Sequence, residues 1–159
     1  MKRMNLMRVF SLLLASLFVM TSCSDDDNIL APEIEQPVAV WVEPFHVQGG
    51  VEEDVKAFMA RNLPGMSLNE QAISFGVQLS YSKPGTDEGM VYSFTTNNGL
   101  YSVIDTEPTS RMDAVLQVLH KQYVLVSSNP ETQYIFTTND RKMVVSIQPV
   151  NDRYFNVCY

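Results

Sequence analysis

The acidic side chains are the first candidates for chemistry in this sequence, because two carboxylates suffice for glycoside hydrolysis. They occur in three groups, Glu52–Asp54, Asp87–Glu88, and Asp105 with Glu107. The first group stands where a helix begins, the second in a loop, and the third just before the second predicted helix, so each is explained as a helix cap or a solvated turn. A hydrolase would need two of these carboxyls facing each other across a cleft, about 5 to 9.5 Å apart. We therefore predict that the chain is not an enzyme.

Histidine and cysteine offer no second route to catalysis or metal binding. His46 and His120 are far apart, and the sequence has no HExxH, CxxC, GxSxG or glycine-rich phosphate loop. His120 falls in the last turn of a predicted helix, where a partly positive imidazole suits the helix dipole; His46 is either a loop residue or an edge ligand. Cys158 lies in a predicted last strand, as a small apolar residue. We expect no catalytic residue, no metal and no cofactor.

Three aromatic residues would form a sugar-binding surface if they were exposed together: Trp41, Tyr101 and Tyr154. Trp41 is the only tryptophan and stands in the apolar run Val38–Val42, which is typical of a strand. A core position is the alternative for this side chain. Carbohydrate binding is therefore the second functional hypothesis, and it requires exposed aromatics in a row.

Composition limits the classes of partner. The 159 residues carry a formal net charge of -7, and 45% of them are apolar. A strongly acidic chain lacks the clustered Lys and Arg that neutralise phosphates, so nucleic acid is not an expected partner. Two cysteines are too few for a disulfide-dense scaffold.

The N-terminus has the pattern of an export signal. Lys2, Arg3 and Arg8 precede an apolar run, Val9–Met20, which ends at the tetrapeptide Met20–Cys23. Twelve helical residues reach only about 18 Å, which is short of the roughly 30 Å hydrocarbon core of a bilayer. The run is therefore predicted to be a signal-peptide core over residues 1–22 and not a resident membrane helix.

Met20-Thr21-Ser22-Cys23 resembles a bacterial lipobox, although Met20 replaces the usual Leu. The tract that follows is similar to the acidic export signal of Bacteroidota-type surface-exposed outer-membrane lipoproteins and consists of Ser24, Asp25, Asp26 and Asp27. The resemblance implies that Cys23 is acylated on sulfur and anchors the mature chain in the outer membrane, exposed at the cell surface. Anchoring at the periplasmic face is the alternative.

The mature chain divides into a tether and one domain. Residues 23–37 are acidic and proline-containing, and they form a spacer of at most about 45 Å. Residues 38–159 have the length of a single domain that buries a core without metals or disulfides.

An internal similarity predicts the fold class. Tyr92–Asn97 reappears as Tyr134–Asn139 with five of six residues identical, and a helix-like segment precedes each copy. Ser110 is the predicted N-cap of the second helix, with Asp113 as its capping-box partner. These patterns predict an α+β fold: a tandem repeat of a helix and a three-stranded antiparallel meander, at about 50–106 and 109–159, with two helices packed on one face of the sheet.

These observations predict a lipid-anchored, non-catalytic envelope protein that binds another macromolecule or acts as an adaptor at the outer membrane. The expected partners are the membrane, through the lipid on Cys23, and a protein or glycan of the envelope. A carbohydrate-binding accessory of a glycan-uptake system is the alternative, and a hydrolase with a carboxylate pair is a third hypothesis.

Overall fold

The computed structural model describes residues 40–129 and 132–159. Within them the chain forms two helices of 11 residues, α1 (Glu52–Asn62) and α2 (Met112–Gln122), and a 3-10 turn at Thr109–Arg111. The strands are β1 (Ser67–Ile73), β2 (Gly76–Ser82), β3 (Gly89–Thr95), β4 (Gly99–Pro108), β5 (Val124–Asn129), β6 (Gln133–Thr137), β7 (Val144–Pro149) and β8 (Tyr154–Cys158).

All eight strands belong to one antiparallel sheet. Their order is β1-β2-β3-β4-β8-β7-β6-β5, so β4 and β8 pair in the middle while β1 and β5 form the two edges. The strands alternate as the sequence predicts: Met90, Tyr92 and Phe94 of β3 are buried, and the residues between them are half-buried. One face of the sheet, here called the packed face, therefore carries the core side chains, and the opposite face is called the open face.

The packed face carries two hydrophobic cores. The α1 core joins Val55 and Met59 of α1 to strands β2, β3 and β4; the α2 core joins Val115 and Leu119 of α2 to strands β6, β7 and β8. Tyr159, at the end of the chain, packs against both cores. The registers place both cores on the same face. Asp105 and Val103 point to the same side of β4, and Asp105 pairs directly with Val157 of β8, which is buried in the α2 core.

A segment without helix or strand, residues 40–51, runs from one core to the other. Trp41 is buried in the α2 core, and Phe45 packs against the α1 core. Further along, the amide of Gly49 donates to the carbonyl of Leu100 at 3.0 Å, and the amide of Leu100 donates to the carbonyl of Gly50 at 2.8 Å. Backbone hydrogen bonds thus hold this segment against the start of β4.

The predicted fold class is wrong. The chain is not a tandem repeat of a helix and a meander with two helices packed on one face; one continuous eight-stranded sheet dominates it. Each short helix contributes only two buried residues to cores otherwise built almost entirely from strands. The expected three strands per unit are also wrong, since four strands follow each helix.

The repeated hexamers explain part of this error. Tyr92–Asn97 begins in β3, the third strand after α1, whereas Tyr134–Asn139 begins in β6, the second strand after α2. The two copies therefore occupy non-equivalent places in the sheet. Their likeness comes from what a strand leading into a turn requires, alternating aromatic and Thr residues and then Asn.

Several local predictions are corrected as well. Ser110 does not cap α2, because it lies inside the 3-10 turn and the helix begins at Met112 without a side-chain cap. The expected type I′ turn at Asn98-Gly99 does not form: three residues separate Thr95 from its partner Gly99, and only Gly99 has a positive φ there. Of the predicted strand Val38–Val42, residues 40–42 are described and belong to the irregular segment.

Alanine substitutions at two glycines test how closely the 40–51 segment packs against β4. Gly99 and Gly85 both have positive φ, but a Cβ on Gly99 would lie 2.6 Å from the carbonyl oxygen of Gly49, whereas nothing lies within 4 Å of a Cβ on Gly85. We expect Gly85→Ala to lower the free energy of unfolding by about 1 to 2 kcal/mol and Gly99→Ala by roughly 1 to 3 kcal/mol more. Urea unfolding measures the loss of unfolding free energy in both variants. Equal losses would show that the 40–51 segment does not pack closely against β4.

Candidate functional site

The three acidic groups have different environments. Glu52–Asp54 forms the first turn of α1, as predicted, and Asp87 is exposed in the turn between β2 and β3. Asp105 and Glu107 contradict the prediction of a solvated turn, since both are buried inside β4 on the packed face. Two carboxyls in the interior of a sheet require compensation, because burial disfavours the charged form.

Asp105 lies under Trp41 at the boundary between the two cores. Its side chain is 1% exposed, and the indole Nε1 of Trp41 donates to its Oδ2 at 2.8 Å. Its Oδ1 has no hydrogen-bond partner within the described part of the chain. Burial, and then the nearby carboxyl of Glu107, raise the pKa of Asp105 well above its usual range, although Trp41 and Arg111 act in the opposite direction. The geometry favours a neutral carboxylic acid at this position.

Glu107 belongs to a row of alternating charges. Arg111 Nη1 donates to Oε2 of Glu107 and, at 3.2 Å, to Oε2 of Glu88. Lys83 Nζ in turn donates to both carboxylate oxygens of Glu88, at 2.9 and 3.0 Å. Burial raises the pKa of Glu107 to about 6 against the effect of Arg111. This row ties the β2–β3 turn to β4 and to the 3-10 turn before α2.

A cavity of about 430 Å³ opens beside this row. Val42, Leu63, Met66 and Met90 are among its apolar walls, and Lys83, Glu88, Glu107 and Arg111 supply its polar groups. Asp105 does not line it. The pair Asp105 and Glu107 therefore does not flank a common cleft, which is the arrangement that glycoside hydrolysis by two carboxylates requires.

A second polar cluster holds the 40–51 segment to Tyr123, directly after α2, and to Tyr159, directly after β8. The hydroxyls of Tyr123 and Tyr159 donate to Oε1 of Glu43 at 2.7 and 3.2 Å. His46 stacks on Tyr159 at 4.6 Å between ring centroids, and its Nε2 lies 3.0 Å from the Tyr123 hydroxyl. Burial and the neighbouring Glu43 raise the pKa of both tyrosines. His46 is thus a structural loop residue, and His120 lies in the last turn of α2, as predicted.

The described strands place no charged side chain on the open face. Within the described part of the chain, the only charged residues in the strands are Glu70, Asp105 and Glu107. Asp105 and Glu107 are buried on the packed face, and Glu70 lies on that face too, since it pairs with buried Leu79 and accepts from Lys56 of α1. No charged side chain of a strand therefore points from the open face.

The registers define the composition of this face. One row crosses all eight strands and reads Asn69, Ser80, Val91, Ile104, Cys158, Ser146, Ile135 and Ser127. A neighbouring row crosses six strands and reads Ser67, Ser82, Gly89, Thr106, Asn156 and Gln148. Hydroxyl, amide and small apolar groups thus cover the sheet, and the Thr106 hydroxyl donates to the Asn156 amide oxygen across the central pair at 2.9 Å.

Charged side chains occur in the turns at the ends of the strands. Arg153 lies in the turn before β8 with its guanidinium 5.6 Å from the ring centroid of Tyr154, and Lys83 and Asp140 lie in two other turns. An uncharged centre bordered by charged residues is the usual anatomy of a protein interface. The sequence of β2, β3, β7 and β8 contains no charged residue, and this was the available signal for an uncharged surface. The signal could be interpreted only once the register showed which residues share a face.

The three predicted ligand-facing aromatics are not brought together. Trp41 is 5% exposed and is engaged by Asp105, so it cannot stack on a sugar. Tyr101 is 43% exposed and is the extra residue of a bulge in β4. Its ring centroid lies 5.8 Å from that of Phe75. Tyr154 pairs with Pro108 at the other end of β4, about 20 Å from Tyr101 along the strand.

The remaining predicted sites differ in what the structure describes. Cys158 lies on β8, half-buried, and burial raises the pKa of its thiol, which disfavours the reactive thiolate. Cys23, Ser24, Asp25, Asp26 and Asp27 lie outside the described residues, as do the predicted signal peptide and tether.

Neither a metal cluster nor a membrane helix is found in residues 40–129 and 132–159. No group of three or more His, Cys, Asp or Glu side chains in this part is placed to hold a metal ion. None of its helices has the length and apolar character needed to cross a bilayer.

Comparison with known proteins gives no family for this chain. No protein-family model matches the sequence. No curated protein and no solved structure matches it either. The function is therefore inferred from the geometry and charges described above.

The raised pKa of Asp105 predicts how stability depends on pH. A carboxyl that holds its proton more tightly in the folded state stabilises the fold fully below its unfolded pKa, near 3.8, and this stabilisation is lost as pH rises through the folded pKa. We expect the free energy of unfolding of the natural chain to fall as the pH rises from about 4, and to fall less in Asp105→Asn.

Urea unfolding at several pH values tests this expectation. Asp140→Asn is the control, because a hydrogen bond from Thr138 lowers the pKa of exposed Asp140, so its titration lies below this pH window. Parallel pH profiles for Asp105→Asn and the natural chain would show that Asp105 is ionised in the fold throughout the window.

Proposed function

We propose that this protein is a lipid-anchored, non-catalytic module of the bacterial outer membrane that binds a protein partner on its open face. The observation that carries the proposal is that none of the described strands places a charged side chain on that face, in a chain whose net charge is -7. Anchoring rests on the resemblance of Met20–Cys23 and the tract after it to the signals of surface lipoproteins.

An uncharged face supports binding because charges are costly to remove from water. Ordinary protein surfaces carry roughly 25 to 35% charged residues, and the solvated face of an antiparallel sheet normally shares in them. Side chains that become covered by a partner avoid this desolvation cost when they are neutral, and charged residues are accordingly depleted from interface cores. Ser, Thr, Asn and Gln retain hydrogen-bonding capacity at a lower cost.

The size of the face favours a protein over a sugar. Eight strands about 4.8 Å apart and about 20 Å long give a surface on the order of 700 Å², close to the roughly 800 Å² that each partner contributes to a standard protein interface. A sugar-binding site would be smaller and would need aromatic platforms. Trp41 is buried, and Tyr101 and Tyr154 stand at opposite ends of the central strands.

The anchor and the tether are suited to such a role. Two or more acyl chains on the first mature residue, at about 0.8 kcal/mol per buried CH₂, hold a protein firmly in a membrane. The acidic tether then lets the domain stand up to about 45 Å from the anchor. The domain needs no reactive group for this function; it needs only a surface that a partner covers.

We expect a charged residue introduced on the open face to weaken binding of the protein partner. We expect Ser93→Lys or Thr106→Lys to reduce capture of the partner at least tenfold, since a buried unpaired charge is strongly unfavourable in an interface. Gln117→Lys, on the exposed side of α2, is the matched control and should leave capture unchanged. The measurement is photo-crosslinking in cells that produce the full lipoprotein, with the photoreactive residue at position 80 on the open face or at position 117.

The position and the kind of the crosslinked adduct distinguish protein binding from carbohydrate binding. A protein adduct from position 80 that position 117 does not give, and that Ser93→Lys removes, is the expected result. Equal adducts from both positions would contradict binding on the open face. An adduct of polysaccharide and not of protein would favour the carbohydrate-binding alternative.

The anchor has its own test. Cys23→Ala removes the acylated sulfur, so we expect the variant to leave the membrane fraction and accumulate in soluble extracts, whereas Cys158→Ala should remain in the membrane. Protease added to intact cells should degrade the anchored domain if it is at the cell surface and spare it if it faces the periplasm. A Cys23→Ala variant that stays with the membrane would refute the anchor.

A further inference from the structure

The edge strand β5 combines full exposure with a run of apolar side chains. Among the described strands it pairs only with β6, and all six of its residues are exposed. Val124, Leu125 and Val126 are consecutive apolar residues there, and the most exposed of them, Val126, is 62% accessible. A register shift between Leu125 and Ser127 leaves Val126 without a partner on β6. An apolar edge of this kind is a template for another strand.

The opposite edge carries a charged residue, which β5 lacks. On β1, Glu70 places a charge in the middle of the strand and bonds to Lys56 of α1 at 2.9 Å. β5 contains neither a charged residue nor a proline between Val124 and Asn129. Beside it lies a depression of about 540 Å³ whose lining includes Ile135 and Val144, with Arg141 as its one charged residue.

The sequence of the edge points to a second copy of the same chain as its occupant. Val124-Leu125-Val126 reads the same in both directions. When two copies of a strand pair antiparallel about a two-fold axis at Leu125, each Val124 faces Val126 of the other copy and Leu125 faces Leu125. All three contacts are apolar, and no like charges oppose each other even though each molecule is acidic.

We propose that the protein forms a two-fold dimer by antiparallel pairing of β5 with β5 of a second copy. The dimer joins two eight-stranded sheets into one sheet of sixteen strands and covers the exposed Val and Leu side chains of both edges. Its contact is small beside that of permanent dimers, so we expect a dissociation constant in about the micromolar range. The pairing does not depend on the partner proposed for the open face.

Disulfide trapping in membranes tests the dimer on the full chain. With Cys158→Ser as the background, Leu125→Cys should give a dimer on mild oxidation, because residues that face each other across antiparallel strands have Cα atoms about 4.5 to 5.5 Å apart, within disulfide range. Leu68→Cys is the matched control, since Leu68 is a similarly exposed leucine on the β1 edge, at 45% against 39% for Leu125. The background protein shows whether Cys23 crosslinks by itself.

The expected result is a disulfide-linked species of twice the chain mass from Leu125→Cys, at least ten times more abundant than from Leu68→Cys. Adding Val126→Lys to Leu125→Cys should reduce it at least tenfold, because two lysines would enter the apolar contact. Equal yields from the two edges, an adduct to a different protein, or no effect of Val126→Lys would each overturn the proposal.

Discussion

The antiparallel pairing of β4 with β8 is the contact on which the rest of the structure depends. It joins the strands that follow α1 to those that follow α2, from Ile104 opposite Cys158 to Pro108 opposite Tyr154. This pairing makes one sheet of eight strands, brings both cores onto one face and leaves β1 and β5 as its edges. The open face and the exposed edge strand are both consequences of that one register.

The same pairing buries a carboxyl that is only partly compensated. Asp105 faces the packed side at the boundary between the cores, where the indole of Trp41 is its hydrogen-bond donor and one carboxylate oxygen has no partner in the described residues. Glu107, two residues further on, has Arg111. The 40–51 segment completes the boundary, since it supplies Trp41 and also Glu43, which accepts from Tyr123 and Tyr159. Polar groups inside the sheet thus fix where this segment lies.

Charge is segregated in this molecule. The helices, turns and the 40–51 segment hold nearly all the charged groups of the described chain, while the strands contribute neutral side chains to the open face. This distribution keeps an acidic protein well solvated around its perimeter and lets the open face be covered at little electrostatic cost. The proposed binding role rests on this separation of charge and not on any single residue.

Local sequence determined the helices and the strand alternation of β3, because apolar periodicity and turn residues act over a few positions. The N-terminal export signal stays a prediction from the sequence alone. Local sequence missed β1, whose seven residues are nearly all exposed and show no alternation, and it placed Asp105 and Glu107 just before α2, as cap or solvated-turn residues. Strand pairing decides such features: hydrogen bonds between residues far apart in sequence select the neighbour, and a shift of one residue exchanges the two faces. Only the tertiary structure therefore showed which side chains are buried acids, which form an uncharged surface and which strand is left as an apolar edge.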